Sequence, residues 1–465
     1  MHFVDYGLIV LYLVALLSLG LIKRLRRGSS ASELIVGGRV LTLPAFIASL
    51  VSTWYGGILG VGEYSYNYGL SNWLVFGLPY YLAAFLFALF LAKKARESKV
   101  LTIPDRLAQA YDAKTAMAGS VIIYLMTVPA AYILMLGVLC EFLFGWPFWM
   151  GILLGTFFSI VYVYLGGFNS VVRTDLFQFV LMFLGFVVLL ATVYFTYGGL
   201  DFLKEAAPES HFSWHGGRSG WYIATWYFIA LATLIEPAFY QRCYAAKNAG
   251  VARRGILIAI VCWAIFDFLT TTSGLYARAI LPTLSDPIAS YPALALQVLP
   301  VGLLGLFALA LLSTVMSTID SYSFLAASTF GNDIMGRLFN LNDRGILLYT
   351  RVGLVISTLM AVGLALFFRS AVDIWHAFGS IGTPALLVPV FFSFVGKRRL
   401  PPRYALLSII LSGGLSLVWF VSQYWNDGEF WLGIQPIFPG LLCSMLLFVF
   451  FSRRILSFPL PEAAR

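Results

Sequence analysis

Four hydroxyl side chains, Thr314, Ser317, Thr318 and Ser321, recur at positions i, i+3, i+4 and i+7 of one apolar segment. This spacing places them on a single stripe of a helix, and Asp320 adjoins the stripe. A hydroxyl can bond back to the carbonyl four residues earlier, but a lone carboxylate in apolar surroundings needs a partner, a cation or a proton. The pattern therefore indicates a group of oxygen ligands that could hold a hard cation such as sodium.

A second unusual segment spans residues 48–69, where Gly56, Gly57, Gly60 and Gly62 follow small hydroxyl residues. A glycine cluster weakens a helix and can free backbone carbonyls to coordinate an ion. The alternative interpretation is close packing of small residues against a neighbouring helix. We predict a broken helix here, with carbonyls that complete the cation site.

A third segment, residues 163–178, carries a glycine pair and then Asp175 at the start of an apolar helix. Polar groups at membrane depth are costly and usually mark a path for ions or substrate. Asp175 and Asp320 could together hold a second cation, or they could share a proton, since a like charge raises one of the two pKa values. Arg173 lies close in sequence and is a candidate salt-bridge partner of Asp175.

The composition defines the broad class of protein. Of the 465 residues, 60% are hydrophobic and only 11% are charged, whereas soluble domains carry about 25% charged residues. Apolar runs of about 20 residues recur along the whole chain, which predicts an all-α polytopic membrane protein with about 13 transmembrane helices. The net charge of +9 resides in short loops, so we interpret it as a topology signal and expect no nucleic-acid partner.

The distribution of basic residues predicts the orientation. The first apolar run, 4–22, precedes a basic cluster, which is the reverse of the order in a signal peptide. With the N-terminus outside and the C-terminus cytoplasmic, 26 of the 30 basic residues fall on the cytoplasmic side, as the positive-inside rule requires. We expect a bacterial inner membrane and contact with anionic lipid. The basic residues assigned to the outside are Lys204, Arg218, Arg278 and Arg369.

The predicted helices divide into two groups of five within a single transmembrane domain, 1–465. Residues 42–197 form the first group and residues 219–395 the second. Because five is odd, the second group is inverted relative to the first, which is a common transporter plan. One extra helix, 4–22, precedes the groups and two more, within 403–452, follow them.

Several short motifs resemble one known family. They are GGRVLTLP at 37–44, YVYLGGFNS at 162–170, TDLFQ at 174–178, Pro237 followed by Gln241 and Arg242, and the MSTID and NDI elements within 316–334. In this order and spacing the chain resembles the sodium:solute symporter family, whose members share the LeuT-type 5+5 inverted-repeat fold. The resemblance implies sodium as the coupling ion.

The resemblance also implies ligands for the ion. The main sodium site would use the carbonyls of Ser52, Tyr55 and Thr314 and the hydroxyls of Ser317 and Thr318. Some members have a second site, which here would draw on Asp175, Ser317, Asp320 and Ser321. The acid at 320 departs from the family pattern, in which a smaller neutral group stands, so this second site could bind a cation or a proton.

The solute is expected near the Gly56–Gly57 break. Ordinary aromatic packing is the alternative for most of the aromatic candidates. The family's proline transporters carry an aromatic pair where this chain has Ile229 and Thr233, which argues against proline and leaves sugars, amino acids, monocarboxylates, vitamins and nucleosides open. The predicted solute-binding residues are Trp54, Gly56, Gly57, Glu63, Tyr80, Tyr81, Trp226, Tyr227 and Asp267.

The predicted function is sodium-coupled uptake of a small polar organic solute by alternating access. One alternative is a proton-coupled symporter that uses Asp175 and Asp320, and another is a transporter-like membrane sensor module. We predict no enzyme activity, since the sequence contains no zinc motif, nucleophile elbow or phosphate-binding loop.

Overall fold

The computed structural model describes residues 1–22, 29–368 and 371–454. The basic residues Lys23, Arg24, Arg26, Arg27 and Arg369, which contribute to the orientation prediction, lie outside these ranges, as do residues 455–465. Within the described ranges, twelve helices are long and apolar enough to cross a membrane, and a shorter apolar helix follows them. The fold is therefore all-α and polytopic, which confirms the predicted class.

The helices are numbered here in chain order. They are α1 (Phe3–Leu21), α2 (Leu43–Tyr68), α3 (Trp73–Phe90), α4 (Ala113–Phe144), α5 (Phe148–Gly166), α6 (Phe168–Tyr197), α7 (Gly220–Ala245), α8 (Ala249–Ile280), α9 (Leu303–Phe339), α10 (Asp343–Phe367), α11 (Ile374–Phe394), α12 (Pro402–Trp425) and the shorter α13 (Ile437–Phe451). Short helices connect some of them: Ala31–Val36, Ala92–Glu97, Ile103–Ala110, Leu200–Ala206 and Ser290–Val298. A two-residue strand pair, Arg398–Arg399 with Arg453–Arg454, ties the chain before α12 to the end of α13.

Side-chain caps define where several helices begin. Asp112 accepts a hydrogen bond from the Thr115 backbone N–H, and Asn248 and Asn342 cap α8 and α10 in the same way. Such caps satisfy backbone donors that have no partner within the helix. The polar residues between apolar runs thus set the helix boundaries.

Three of the long helices are interrupted. In α4, one helical segment ends at Thr127 and the next begins at Ala130, with Val128 in an extended conformation between them. In α2, a 3₁₀ turn at Tyr55–Gly57 separates two α-helical halves, at the break that the glycine cluster predicts. In α7, a 3₁₀ segment at Ala230–Ile235 leads to Glu236 in an extended conformation, and a new helix begins at Pro237. Proline has no N–H to donate and disfavours a helical conformation in the residue before it. The breaks in α2 and α7 fall in the first helix of each predicted five-helix group.

Helix α9, which carries the hydroxyl stripe, is almost wholly buried in the centre of the bundle. It packs against α1, α4, α5, α6 and α10 and against the turn in α2. The hydroxyl groups therefore lie inside the protein rather than against lipid.

The N-terminal helix α1 is fixed to the start of α9 by Asp5. The fully buried Asp5 carboxylate accepts hydrogen bonds from the backbone N–H groups of Gly302 (2.8 Å) and Gly305 (2.9 Å). A carboxylate is favourable at a helix N-terminus, where unpaired N–H groups and the helix dipole attract negative charge. A side chain at Gly305 would collide with Asp5, so the contact depends on this glycine.

Candidate functional site

The break in α2 lies directly against the hydroxyl stripe of α9. Ser317 Oγ is 2.9 Å from Ser52 Oγ, and Thr318 Oγ1 donates to the Thr53 carbonyl at 2.8 Å. A Cβ added at Gly56 would lie 2.3 Å from Thr318 Oγ1. The absence of a side chain at Gly56 therefore allows the two segments to meet.

The five residues proposed for the main sodium site lie around this contact. Thr318 Oγ1 also reaches the Thr314 carbonyl at 3.3 Å, and Tyr55 begins the 3₁₀ turn that faces α9. A hydroxyl that donates its hydrogen to a carbonyl or carboxylate still has lone pairs to offer a cation. Hydroxyl and carbonyl oxygens thus converge where the two helices touch.

Asp175 lies beside this group and pairs with an arginine that the sequence analysis did not select. Its Oδ1 accepts a hydrogen bond from Ser317 at 2.6 Å, and its Oδ2 accepts one from Ser49 at 2.6 Å. Arg242 Nη2 lies 3.5 Å from the same Oδ2. Both side chains of this ion pair are fully buried.

The hypothesis that Arg173 neutralises Asp175 is wrong. Two residues along a helix correspond to a rotation of about 200°, so Arg173 projects away from Asp175. In the ranges that the structure describes, its Nη1 makes no hydrogen bond. Arg242, near the end of α7, reaches the carboxylate instead and also donates to Thr53 (2.9 Å) and Ser321 (2.7 Å).

Asp320 occupies a separate polar cluster between α1, α5, α6 and α9. Its Oδ2 accepts a hydrogen bond from the Tyr162 hydroxyl, and its Oδ1 has no hydrogen-bond partner within the described residues. Tyr12 lies in the same cluster, where its hydroxyl accepts a hydrogen bond from Gln178 at 3.1 Å.

The predicted second site is consequently divided in two. Adjacent residues on a helix point about 100° apart. Ser321 therefore joins Asp175 and Arg242, while Asp320 faces α1 and α5.

A cavity of about 230 Å³ adjoins the α2 break and is bounded by α2, α3, α4, α7, α8, α9 and α11. The breaks in α2, α4 and α7 all contribute residues to its wall. Most of its lining is aromatic or apolar, as is usual for small-molecule sites. The predicted solute-binding residues that line it are Trp54, Gly57, Tyr80, Tyr81, Trp226 and Asp267.

Three predicted residues, Gly56, Glu63 and Tyr227, do not line this cavity. Gly56 faces Thr318 on the other side of α2. Tyr227 follows Trp226 directly, and the rotation of about 100° per residue turns it to another face of α7. All three were predicted because they lie in helices expected at the solute site, but the sequence does not determine the direction of a side chain.

Two buried carboxylates form polar points in the cavity wall. Tyr55 and Tyr81 donate hydrogen bonds to the two oxygens of Asp267. Glu236 Oε1 accepts hydrogen bonds from the Tyr322 hydroxyl at 3.0 Å and the Ala238 N–H at 3.3 Å. Glu236 was not among the predicted solute-binding residues. Its position directly before a proline inside an apolar run was the sequence feature that could have identified it.

Helix α11 completes the wall with Trp375 and His376, which the site prediction also lacked. A Cβ added at Gly57 would lie 2.4 Å from the indole of Trp375. The second glycine of the α2 break therefore makes room for this indole.

The chain is similar in sequence to the members of one known family. The Sodium:solute symporter family model matches residues 34–411. The sodium/pantothenate symporter of Escherichia coli is 26% identical over 470 residues, which cover 95% of this chain and 94% of that protein. The sodium/pantothenate symporter of Haemophilus influenzae is 27% identical over 310 residues, which cover 63% of this chain and 64% of the relative.

A solved structure has the same fold. The substrate-bound outward-open state of a sodium-coupled sialic acid symporter superposes with a TM-score of 0.81 at 17% identity, and the match covers 98% of this chain and 100% of that one. The chain belongs to the sodium:solute symporter family. It is a multi-pass membrane protein of LeuT-like fold that couples sodium to the movement of a small solute, and it is not an enzyme.

Proposed function

We propose that sodium binds between α2 and α9, at the carbonyls of Ser52, Tyr55 and Thr314 and the hydroxyls of Ser317 and Thr318. The observation that supports this site is the contact of Thr318 with the Thr53 carbonyl and with Gly56. It brings the interrupted backbone of one helix against the hydroxyl stripe of another. The solute binds in the adjoining cavity.

Tyr55 links the two proposed sites. Its backbone belongs to the sodium ligands, while its hydroxyl donates to Asp267 in the cavity wall. A sodium ion that fixes the 3₁₀ turn therefore also fixes one donor of the solute site. By linkage, each ligand then raises the affinity for the other by the same factor.

The direction of transport follows from the proposed orientation in the cell membrane, with the N-terminus outside and the C-terminus inside. An inward sodium gradient and a negative interior then drive uptake, with about 2.3 kcal/mol per charge for each 100 mV.

Helix interruptions in α2 and α7 support two inverted repeats, 42–197 and 219–395, because half-helices in corresponding positions mark the binding site of such transporters. We also propose that the protein resides in a bacterial inner membrane and contacts anionic lipid there.

Thermal unfolding of the purified protein tests the sodium site. Sodium should raise the melting temperature relative to potassium at equal ionic strength, since a ligand that binds only the folded state stabilises it by about 2.7 kcal/mol at 100 times its Kd. Thr318→Ala should abolish this rise. Thr192→Ala is the matched control, because among the described residues the Thr192 hydroxyl donates a hydrogen bond only to the carbonyl of Val188 in its own helix. If Thr318→Ala shows the same rise in melting temperature at the same sodium concentrations as the wild type, Thr318 is not part of the sodium site.

Coupling to protons through Asp320 is a second candidate function. The observation that favours it is the fully buried Asp320 carboxylate, one oxygen of which has no hydrogen-bond partner in the described part of the chain. The ionisable groups in its cluster are Tyr162 and Tyr12, and the carboxylate of Asp175 acts on it only through space. The measured quantity is the sodium midpoint, which is the sodium concentration that gives half of the maximal rise in melting temperature. A midpoint that differs between acidic and alkaline buffer in the wild type, but not in Asp320→Asn, would support this role. An equal midpoint in both buffers would exclude it.

A further inference from the structure

We propose that the transported solute is a small organic monocation, whose charge is balanced by the carboxylates of Asp267 and Glu236 and whose apolar part packs on aromatic rings. This inference rests on the proposed function, in which the cavity beside the α2 break is the solute site. It goes further by naming the chemical class of the solute.

The cavity wall carries more acidic than basic side chains. Asp267 and Glu236 both line it and are only 3% and 8% exposed. Among its described lining residues there is neither lysine nor arginine. The imidazole of His376 also lines the cavity, and its Nε2 lies 2.9 Å from Gln435 Oε1. An anionic solute would therefore meet two carboxylates without an arginine to receive it.

The hydrogen bonds of the two acids hold carboxylates in place but supply no positive charge. Asp267 accepts from the hydroxyls of Tyr55 and Tyr81, and Glu236 accepts from Tyr322 and from the N–H of Ala238. Neutral donors of this kind favour the ionised form of an acid, whereas burial opposes it. A buried charge without a countercharge remains costly, and a cationic ligand would remove that cost.

The buried arginine nearest to the site is already engaged. Arg242 donates to Asp175, Ser49, Thr53, Ser321 and Gln241. None of its hydrogen bonds goes to a carboxylate of the cavity. Arg242 therefore balances Asp175 and acts on Glu236 only through space, whereas Asp267 is left for a positive charge that arrives with the solute.

The remaining wall suits the body of an organic cation. Trp54 lies 5.8 Å from Tyr80 and 5.9 Å from Trp263 between ring centroids, and Tyr132 lies 5.9 Å from Trp375. All five rings line the same cavity. Aromatic faces attract ammonium groups, and cages of such rings bind quaternary ammonium ligands. The volume of about 230 Å³ restricts the ligand to a small molecule.

The test uses the full-length protein in detergent and compounds that differ in charge but little in shape. The probes are choline with its neutral carbon isostere dimethylbutanol, and phenethylammonium with phenylethanol and phenylacetate. Melting temperatures are measured in sodium and in potassium. We expect at least one cation to raise the melting temperature in sodium, with no rise from its uncharged counterpart at the same concentration.

Variants locate the effect in the cavity. Asp267→Asn and Glu236→Gln should each raise the midpoint concentration of the cation at least about tenfold. That is a loss of about 1.4 kcal/mol of binding free energy or more. Both variants should retain the rise that sodium alone produces, which shows that they are folded. Asp201→Asn is the matched control, because Asp201 is exposed and does not line the cavity.

The outcomes separate the two proposals. The cation inference is overturned if no cation of the set raises the melting temperature in sodium, if only the neutral or anionic compounds do so, or if Asp267→Asn retains the full cation shift. In each of these cases the rise with sodium alone leaves the sodium site intact. If the wild type shows no difference between sodium and potassium, the proposed function fails first, and the inference fails with it.

Discussion

Arg242 and Asp175 form a fully buried ion pair, with Arg242 Nη2 3.5 Å from Asp175 Oδ2. The pair joins the end of α7 to the start of α6. The same guanidinium also donates to Ser49 and Thr53 of α2 and to Ser321 of α9. One arginine thus connects the four helices that surround the proposed sodium site.

Removing one member of this pair should destabilise the protein strongly. Asp175→Asn leaves the buried guanidinium without its countercharge, a change that costs about 3 to 5 kcal/mol in buried pairs. We expect a large fall in melting temperature without sodium. The double variant Asp175→Asn with Arg242→Gln should recover part of the loss, since neither charge then remains.

The control for this prediction is the exposed pair of Lys93 and Glu97, whose side chains are 67% and 55% exposed. Lys93→Gln should change stability by no more than about 1 kcal/mol, because solvent screens such pairs. If Asp175→Asn lowers the stability no more than Lys93→Gln does, the Asp175 carboxylate is not the ionised partner that this prediction requires.

A methyl group at Gly56 should disrupt the contact between α2 and α9. In Gly56→Ala the new Cβ would lie 2.3 Å from Thr318 Oγ1, and overpacking of this kind costs about 1 to 3 kcal/mol. We expect loss of the sodium-dependent rise in melting temperature. Gly363→Ala in α10 is the control, because a Cβ there meets nothing within 4 Å. A normal sodium response in Gly56→Ala would place the ion elsewhere.

Part of the site could be predicted from the sequence alone. The stripe at Thr314, Ser317, Thr318 and Ser321 follows from helical periodicity, and it lies on one buried face of α9. Its contact with a segment about 265 residues away was an implication of the family resemblance, because spacing along one helix says nothing about its neighbours. The helical spans were predictable since a membrane forces each segment to satisfy its own backbone hydrogen bonds.

The errors have a common physical cause. Arg173 was chosen for its nearness in sequence to Asp175, whereas the true partner, Arg242, comes from another helix. Glu63 and Tyr227 lie near the predicted site along the chain but do not line its cavity. The interruption at Ala230–Ile235 was missed because its residues are apolar. Tertiary packing decides each of these features.

The connection before α7 should separate from the rest of the protein at low pH through His211. Its Nε2–H donates to the Tyr66 carbonyl at 2.9 Å. Burial lowers the pKa of His211 below its ordinary value of 6.5; the Tyr66 carbonyl opposes this shift, and nearby Arg278 adds to it. The neutral imidazole therefore stabilises docking fully above about pH 6.5, and this stability is lost as the pH falls towards the lowered pKa.

Hydrogen exchange of residues 209–217, corrected for the intrinsic effect of pH, measures this docking. Protection should decrease between neutral and mildly acidic buffer in the wild type. His211→Gln should remove the pH dependence, whereas His215→Gln should keep it, because His215 is exposed. Equal protection in both buffers would refute the proposed role of His211.

Two arginines should hold one end of the bundle closed. Arg39 donates to the Lys99 carbonyl at 2.6 Å, and Arg96 donates to the Ala246 carbonyl at 2.5 Å. In Arg39→Gln with Arg96→Gln these bonds are lost, and the fully buried Cys243 should become accessible. We expect maleimide to label it several times faster.

The labelling is measured in a background in which Cys140, Cys262 and Cys443 are replaced by serine. Lys94→Gln is the control, since Lys94 is exposed on the same short helix as Arg96. Unchanged labelling of Cys243 in the double variant would show that the arginines do not close this end.

The anchoring of α1 by Asp5 has a practical use. Because Asp5 binds the backbone of Gly302 and Gly305, the first turn of α1 cannot separate from the start of α9 without losing both bonds. Tyr6, the next residue, is 42% exposed and distant in sequence from every proposed ligand. A fluorophore attached through Tyr6→Cys would therefore report displacements of α9 optically, while leaving the proposed sodium ligands and the proposed solute cavity unmodified.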